Sequence, residues 1–167
     1  MKNKSNISLA TAIIKSEISA LTRTLKRIDL SFDRACELVN ENTGKIITIG
    51  LGKSGYIAMK TAATLSSTGT PSIFIHATEA LHGDMGVINR RDEIIIYSNS
   101  GETEEIIKLI PLLKIIKCKI IAITGNKKSQ LATYSDIVLD ASVTKEACPN
   151  NLAPTSSIIC ALAISDA

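Results

Sequence analysis

The sequence predicts one α/β domain, in which helices cover both faces of a parallel β-sheet of about five strands. Five short runs rich in β-branched residues alternate with helical segments from residue 45 onward. These runs are apolar at consecutive positions, as expected for strands that are buried on both faces. Parallel strands joined by helices with right-handed crossovers build a doubly wound, three-layer sandwich. Ligands bind beyond the carboxyl ends of the strands in such sheets, so the loops that follow the strands are the candidate sites.

The boundaries of the elements follow from turn residues and periodicity. With 167 residues, 45% of them apolar and 21% charged, the chain can build one core and is too short for two ordinary domains. Residues 1–42 are predicted to form N-terminal helices, and residues 44–167 the sheet with its flanking helices. A last helix opens at 154–156 and is still apolar at Ala167, so it is predicted to be cut short. The predicted strands are 45–50, 72–76, 93–98, 118–124 and 136–140, and further helices are predicted at 31–41, 54–68, 103–117 and 128–134.

The first helix carries an apolar stripe. Apolar residues at alternating steps of four and three predict an amphipathic helix between Ile7 and Ile28. The stripe either covers the sheet of its own domain or packs against a second subunit, and both interpretations stay open. Its members are Ile14, Ile18, Leu21, Leu25 and Ile28.

The composition argues against several classes of protein. No run of ~18 apolar residues is present and the start lacks the apolar region of a signal peptide, so we expect a cytoplasmic protein that does not bind membranes. The net charge of +3 is uneven, because residues 1–30 hold six Lys or Arg against two acids and the remaining residues 13 against 14. The chain has only three Tyr, two Phe and no Trp, so nucleic acid is not an expected partner. The four cysteines are spaced too widely for a zinc site or a redox dithiol.

The first candidate site is the loop Gly50–Gly55, with the sequence GLGKSG, between the first strand and a helix. Backbone amides and the positive end of the helix dipole favour an anion at such a loop, and phosphate is the expected ligand. The loop also matches GxGxxG, but the second strand ends in His76, where a dinucleotide site requires an acid. Ile47 stands where a Walker A loop requires glycine. A purely structural tight turn is the alternative interpretation.

The second candidate site is the loop Ser98–Thr103, with the sequence SNSGET, after the third strand. It offers three hydroxyl groups and the amides of a helix N-terminus. Neutral donors of this kind are sufficient for a monophosphate, whereas a nucleoside triphosphate normally recruits a metal as well. The two loops together predict a phosphorylated sugar as ligand and no cofactor.

The acids that follow the second loop differ in the helix face they occupy. Glu104 has Lys108 one turn further on, so the pair is predicted to lie on the surface. Glu105 shares its face with Leu109 and Leu112 and is expected to point inward, toward the mouth of the site. A partly desolvated carboxylate at this position is a candidate general base.

His82 lies in the segment HATEALHGD, residues 76–84, after the second strand. The spacing is not that of an HExxH zinc site, so no metal is predicted, and His82 is the candidate ligand if a metal binds. Substrate binding or acid–base chemistry is the favoured role for His82. Lys145 and Glu146, after the fifth strand, taken alone indicate an exposed ion pair in a solvated loop.

As a set, these segments resemble the sugar isomerase (SIS) domain of D-arabinose 5-phosphate isomerases. The resemblance extends over nearly the whole chain and is most specific over residues 44–160. It implies a flavodoxin-like fold, a homodimer or homotetramer, and interconversion of D-arabinose 5-phosphate with D-ribulose 5-phosphate. In Gram-negative bacteria this step supplies the precursor of Kdo, a sugar of lipopolysaccharide. The matching segments are GLGKSG, STGTPS, EALHGDMG, SNSGETEE and KEACPNNLAPTSS.

The resemblance also implies roles for individual residues. It places catalytic function on Lys53, Glu105, Glu146 and His82. One of the two glutamates would be the base that moves a proton between C2 and C1 through an enediol, and which one stays open. Lys53 would stabilise negative charge on substrate oxygens, and His82 would assist ring opening or orient the sugar. The residues expected to bind substrate or phosphate are Gly52, Ser54, Ser98, Asn99, Ser100, Thr103 and Thr155.

Two features depart from the family pattern. Family members read HPGEA where residues 76–80 of this chain read HATEA, so this loop is expected to differ in shape. They also continue with an essential histidine in a Ser-His-Pro segment, and often with two CBS domains, so the prediction here is a SIS domain alone. The missing histidine favours the alternative of a sugar-phosphate binding or regulatory domain without catalysis. Another isomerase, such as 6-phospho-3-hexuloisomerase, is disfavoured by the KEACP segment, and a dinucleotide-dependent oxidoreductase is the weakest alternative.

Overall fold

The computed structural model describes residues 5–167, and its strands and helices follow one another as the sequence predicts. A short helix and a 3₁₀ helix, Asp84–Val87, lie between the second and third strands, outside the predicted elements, because such short pieces show no helical period. The strands are β1 Ile46–Gly50, β2 Ser72–His76, β3 Glu93–Tyr97, β4 Ile120–Thr124 and β5 Ile137–Asp140. The helices are α1 Asn6–Leu25, α2 Leu30–Glu41, α3 Gly52–Ser67, α4 Ala77–Leu81, α5 Glu104–Ile116, α6 Gln130–Tyr134 and α7 Ser156–Asp166.

All five strands pair in parallel, in the order β2-β1-β3-β4-β5, which confirms the predicted fold class. At the carboxyl end of β1, Gly50 pairs with His76 on one side and with Tyr97 on the other. The chain therefore leaves three neighbouring strands at the same level. The loops after β1, β2 and β3 meet at this edge, as in other open parallel sheets that bind ligands there.

Helices cover both faces of the sheet and form two apolar cores. On one face, Ile47 and Ile49 of β1 pack in the same cluster as residues of α4, α5 and α6. On the other face, Ile46 packs in the cluster that contains residues of α2, α3 and α7. The buried hydroxyl of Thr48 donates a 2.7 Å hydrogen bond to the carbonyl of Ala58, which ties α3 to this second face. The position of α3, and of the loop that precedes it, is fixed in this way.

Helix α1 packs against α7 rather than against the sheet. Its buried residues are Ala20 and Thr24, whose small side chains allow the two helices to approach closely. The interpretation in which the apolar stripe of α1 covers its own sheet is contradicted, because Ile14 and Ile18 are each 56% exposed and Leu25 is 72% exposed. The alternative, a subunit interface, stays a prediction.

Residues 5–167 contain neither a membrane-spanning helix nor a disulfide. None of the helices in this part of the chain combines the length and the apolarity needed to cross a bilayer. All four cysteines are free thiols, with Cys118 and Cys160 buried and Cys36 exposed.

Candidate functional site

The N-terminus of α3 leaves backbone amides free at the carboxyl end of β1. Leu51 precedes the helix and provides no side-chain cap, and the first helical backbone bond is donated by Gly55 to the carbonyl of Leu51. Gly52 adopts a φ of +54°, a conformation that favours glycine. The amides of the first turn, at residues 52–54, therefore remain available for an anion, and the helix dipole adds a partial positive charge.

The loop 98–103 is held by its own hydroxyl groups. Ser98 is buried, and its Oγ lies 3.0 Å from the hydroxyl oxygen of Thr103. The same Oγ accepts a 3.1 Å hydrogen bond from the amide of Gly101. Ser100 is exposed and accepts a 3.2 Å bond from the amide of Glu102. Thr103 begins α5 without capping it through its side chain, so the first amides of α5 are free as well. The loop is preorganised, and its exposed side chains include Asn99 and Ser100, which can contact a ligand.

Gly101 lets this loop come very close to α6. Its φ is +66°, and a methyl group there would lie 2.0 Å from Oγ of Ser129, a buried residue. The Ser129 hydroxyl caps α6 by accepting from the amide of Ala132. Glu102 reinforces the contact, because its carboxylate accepts from the backbone and side-chain amides of Gln130. Loop 98–103 is thus anchored to α6, a contact that the sequence alone does not indicate.

The two loops and α7 converge on a narrow cleft. Ser54, Ser98, Asn99, Gly125 and Ser157 all line it, and its free space is about 10 Å³. This space holds about one water molecule, so a sugar phosphate can occupy only the outside of the cleft. The larger cavity of about 280 Å³ between α2 and the sheet is lined mainly by apolar residues. It is less suited to a phosphate than the edge of the sheet where the uncapped N-termini of α3 and α5 lie.

The Glu146 carboxylate closes the N-terminus of α7. Its Oε2 accepts from the amide of Thr155 at 2.8 Å, from the amide of Ser157 at 3.2 Å and from the hydroxyl of Thr155 at 3.2 Å. Its Oε1 accepts a short 2.5 Å bond from the hydroxyl of Ser157. Partial burial opposes ionisation, but these hydrogen bonds, that of the Ser157 hydroxyl foremost, hold the pKa of Glu146 below its ordinary value. Contrary to the surface ion pair that Lys145 and Glu146 indicate when read alone, Glu146 is a fixed, ionised carboxylate.

The Thr155 hydroxyl belongs to the same group of hydrogen bonds around Glu146. Besides donating to Glu146, it accepts from the amides of Ala147 at 2.9 Å and Cys148 at 3.2 Å, which uses its full hydrogen-bonding capacity. Thr155 is therefore engaged with Glu146, Ala147 and Cys148. Its predicted role in binding substrate stays a prediction.

The other predicted catalytic residues all lie at the carboxyl edge of the sheet. Lys53 is in the first turn of α3 and exposed, and His82 ends α4 and is exposed. Glu105, in the first turn of α5, is half-buried as expected, but Leu112 on its predicted inward face is 42% exposed. Within residues 5–167, no hydrogen bond or ion pair joins Lys53, His82, Glu105 and Glu146 to one another. Glu104 forms the predicted surface pair with Lys108, at 2.6 Å.

Two residues that line the cleft are not among those predicted from the sequence. Ser157 lines the cleft and contacts Glu146, yet in the sequence it is one of several serines at a helix start. Gly125 follows β4 and donates its amide to the carbonyl of Asn99. The position of Gly125 after a strand is the one signal that could have indicated it. Among the described residues, no three His, Cys, Asp or Glu side chains are grouped as a metal would require.

The fold and the two loops at the carboxyl edge of the sheet indicate a class of protein, and comparison with known proteins identifies it. Residues 37–167 match the SIS domain family, and the chain belongs to that family. Among solved structures, an E. coli CFT073 protein in complex with arabinose 5-phosphate superposes with a TM-score of 0.88, at 37% identity over 99% of this chain and 93% of that one. A Listeria monocytogenes structure reaches a TM-score of 0.94 at 30% identity, over 99% of this chain and 87% of that one.

Within the family, the chain is similar to particular enzymes. It is 48% identical to arabinose 5-phosphate isomerase KdsD of Pseudomonas aeruginosa over 99% of its length, and 47% identical to the enzyme of the same name from Francisella tularensis over 98%. The chain spans about half the length of both relatives, 51% in each case. The resemblance to the SIS domain of arabinose 5-phosphate isomerases is confirmed.

Proposed function

We propose that this chain interconverts D-arabinose 5-phosphate and D-ribulose 5-phosphate. The observation that carries the proposal is 47–48% identity to arabinose 5-phosphate isomerases over 98–99% of the chain. The arabinose 5-phosphate complex of the 37% identical E. coli protein supports the same substrate. The reaction would belong to the synthesis of Kdo and lipopolysaccharide, in the cytoplasm.

The phosphate of the substrate would bind at the outside of the cleft. The uncapped N-termini of α3 and α5 direct free amides to this edge, and Ser54, Ser98, Asn99 and Ser100 add polar side chains. In contrast, α1, α2 and α6 are capped by Ser5, Asp29 and Ser129. Helix termini without caps are suited to an anion, because their amides otherwise have no protein partner.

Isomerisation requires a base that takes the C2 proton and returns it to C1, while a second proton moves between the oxygens on C1 and C2. We assign the base to Glu146, whose carboxylate is fixed by its contacts with Thr155 and Ser157 and is ionised. Lys53 would stabilise the charge that develops on the enediol oxygens. Glu105 and His82 would hold substrate hydroxyls and assist ring opening.

The assignment predicts a large loss of turnover in one glutamate variant and none in a second, exposed one. Glu146→Gln keeps the size of the side chain and removes the base, so kcat should fall by about 10²–10⁴-fold. Glu104→Gln is the matched control, because Glu104 is exposed and paired only with Lys108. Ketose formation from arabinose 5-phosphate is the measurement. Unchanged kcat in Glu146→Gln would overturn the assignment.

Phosphate binding has its own test. Ser54→Ala should weaken binding of arabinose 5-phosphate by about tenfold or more, as expected for one hydrogen bond to a charged group. Ser67→Ala, at the far end of the same helix, is the control, since its hydroxyl donates only to the carbonyl of Thr64. Isothermal titration calorimetry compares the two. Equal affinities in both variants would remove Ser54 from the phosphate site.

One observation favours the alternative of a sugar-phosphate binding domain without catalysis. The Glu146 carboxylate already accepts four hydrogen bonds from Thr155 and Ser157, which is also what a purely structural helix cap requires. A structural Glu146 would leave affinity for arabinose 5-phosphate intact in a chain that forms no ketose. Affinity and turnover measured on the same preparation separate the two functions.

We further infer a homodimer or homotetramer built on α1. Exposed apolar side chains of Ile14, Ile18 and Leu25 recur along this helix, and a second copy of the chain would remove them from water. Ile14→Asp with Ile18→Asp should lower the mass measured by light scattering, whereas Lys15→Asp should not. A monomeric unmodified chain would contradict this inference.

A further inference from the structure

Ser157 occupies a position between two parts of the site. It lines the cleft together with Ser54, Ser98 and Asn99, and it is only 2% exposed. Its hydroxyl donates to Oε1 of Glu146 at 2.5 Å, while its amide donates to Oε2. Both carboxylate oxygens of Glu146 are thus bound by one residue of the cleft wall.

We propose that Ser157 is a positioning residue for Glu146, whose hydroxyl holds the carboxylate in one orientation and links it to the serine-lined cleft. The inference rests on the proposed isomerase function for its catalytic consequence. A carboxylate bound at both oxygens cannot rotate freely, and proton transfer requires such fixed geometry. The remaining acceptor capacity of Oε1 would then meet the substrate from a defined direction.

The surroundings of Glu146 leave few other groups that could control its charge. The cavity that it lines is faced by Leu9, Ala12, Ile13 and Ser16 of α1, none of which carries a charge. Lys145 and Cys148 are the other titratable residues that line this cavity. Burial opposes ionisation of Glu146, and hydrogen bonds from Ser157 and Thr155 hold its pKa below the ordinary value.

The neighbouring residue supplies a matched control. Ser156 is fully buried, lies in the same turn of α7, and its hydroxyl has no hydrogen-bond partner among residues 5–167. Ser157→Ala and Ser156→Ala therefore remove the same atom from adjacent buried positions. The first removes a contact with Glu146, and the second does not.

The test is carried out on the full 167-residue chain. In protein labelled with carboxyl-¹³C glutamate, an NMR titration follows the carboxyl signal of Glu146. This signal is assigned by its absence from the spectrum of Glu146→Gln. We expect Ser157→Ala to raise the pKa of Glu146 toward the ordinary glutamate value and Ser156→Ala to leave it unchanged. In turnover of arabinose 5-phosphate, Ser157→Ala should move the acidic limb of the kcat profile to higher pH and lower kcat at least about tenfold, with little change in KM.

Failure of the inference and failure of the proposed function give different results. An unchanged NMR titration in Ser157→Ala overturns the positioning role whatever the activity. A shifted titration without any turnover by the unmodified chain supports the contact and refutes the isomerase. A shifted titration with an unchanged kcat profile overturns the catalytic part of the inference. If Ser157→Ala does not fold, Ser157→Cys replaces it, because the thiol is a similar size but a weak donor, and the same direction of shift is expected.

Discussion

Replacing Gly101 by alanine should destabilise the anchored loop 98–103 through two separable effects. A residue with a side chain costs about 1–2 kcal/mol in the left-handed conformation that Gly101 adopts, with φ at +66°. The new methyl group would also lie 2.0 Å from Oγ and 2.5 Å from Cβ of Ser129. Ser129 is fully buried and caps α6, so it cannot move aside cheaply, and overpacking of this kind costs about 1–3 kcal/mol. After a gain of about 0.5 kcal/mol from the less flexible unfolded chain, the expected loss is about 1.5–4.5 kcal/mol.

Two other glycines separate these effects. Gly52 has a φ of +54° with no atom within 4 Å of the position of an added methyl group, so Gly52→Ala reports backbone strain alone. Gly86 has neither a positive φ nor a close neighbour, so Gly86→Ala should change the free energy of unfolding by about 0.5 kcal/mol or less. Urea unfolding followed by circular dichroism measures all three variants. A Gly101→Ala variant as stable as Gly86→Ala would refute the account of this loop.

Two further predictions concern titration. Burial raises the pKa of Glu93 to about 7 from 4.5. Between these values the folded chain binds more protons than the unfolded one, so this residue lowers the free energy of unfolding as pH rises from 4.5 through 7. Glu93→Gln should therefore stabilise the chain by about 1–3 kcal/mol at about pH 8 and have much less effect at about pH 4.5, as measured by urea unfolding; equal effects at both values would contradict this. Backbone amides of Ala153, Leu152 and Asn150 lower the pKa of the Cys148 thiol, whereas burial raises that of Cys118 to about 11. Mass spectrometry should show iodoacetamide alkylating Cys148 well before Cys118 at about pH 7.5, and faster reaction of Cys118 would contradict this.

The fold could be predicted from the sequence because each element carries its own signal. The runs around Ile47, Ile95 and Ile121 are apolar at consecutive positions, which indicates strands buried on both faces, and the structure buries them. The apolar stripe of α1 could be predicted in the same way, but the surface against which α1 packs could not. A helical period shows that one face is apolar but not what covers it, and α1 packs through Ala20 and Thr24 instead.

Part of the candidate site could likewise be predicted from the sequence, and part of it could not. The glycine and serine loops could be found because they follow strands, where parallel sheets bind ligands. The contacts that fix Glu146 join residues 9 and 11 positions apart across an irregular loop, and no periodicity encodes such a distance. The close approach of Gly101 to Ser129 joins two separate loops and is equally invisible in the sequence.

Turnover and affinity of the unmodified chain distinguish an isomerase from a sugar-phosphate binding domain. Carbon-13 NMR of labelled arabinose 5-phosphate, mixed with the purified 167-residue chain, reports binding and ketose formation in one sample. Ribulose 5-phosphate should appear until the two sugars reach equilibrium, and Glu146→Gln should slow this by at least about 100-fold. Binding of the sugar phosphate with no ketose formed would contradict the isomerase and leave a binding domain.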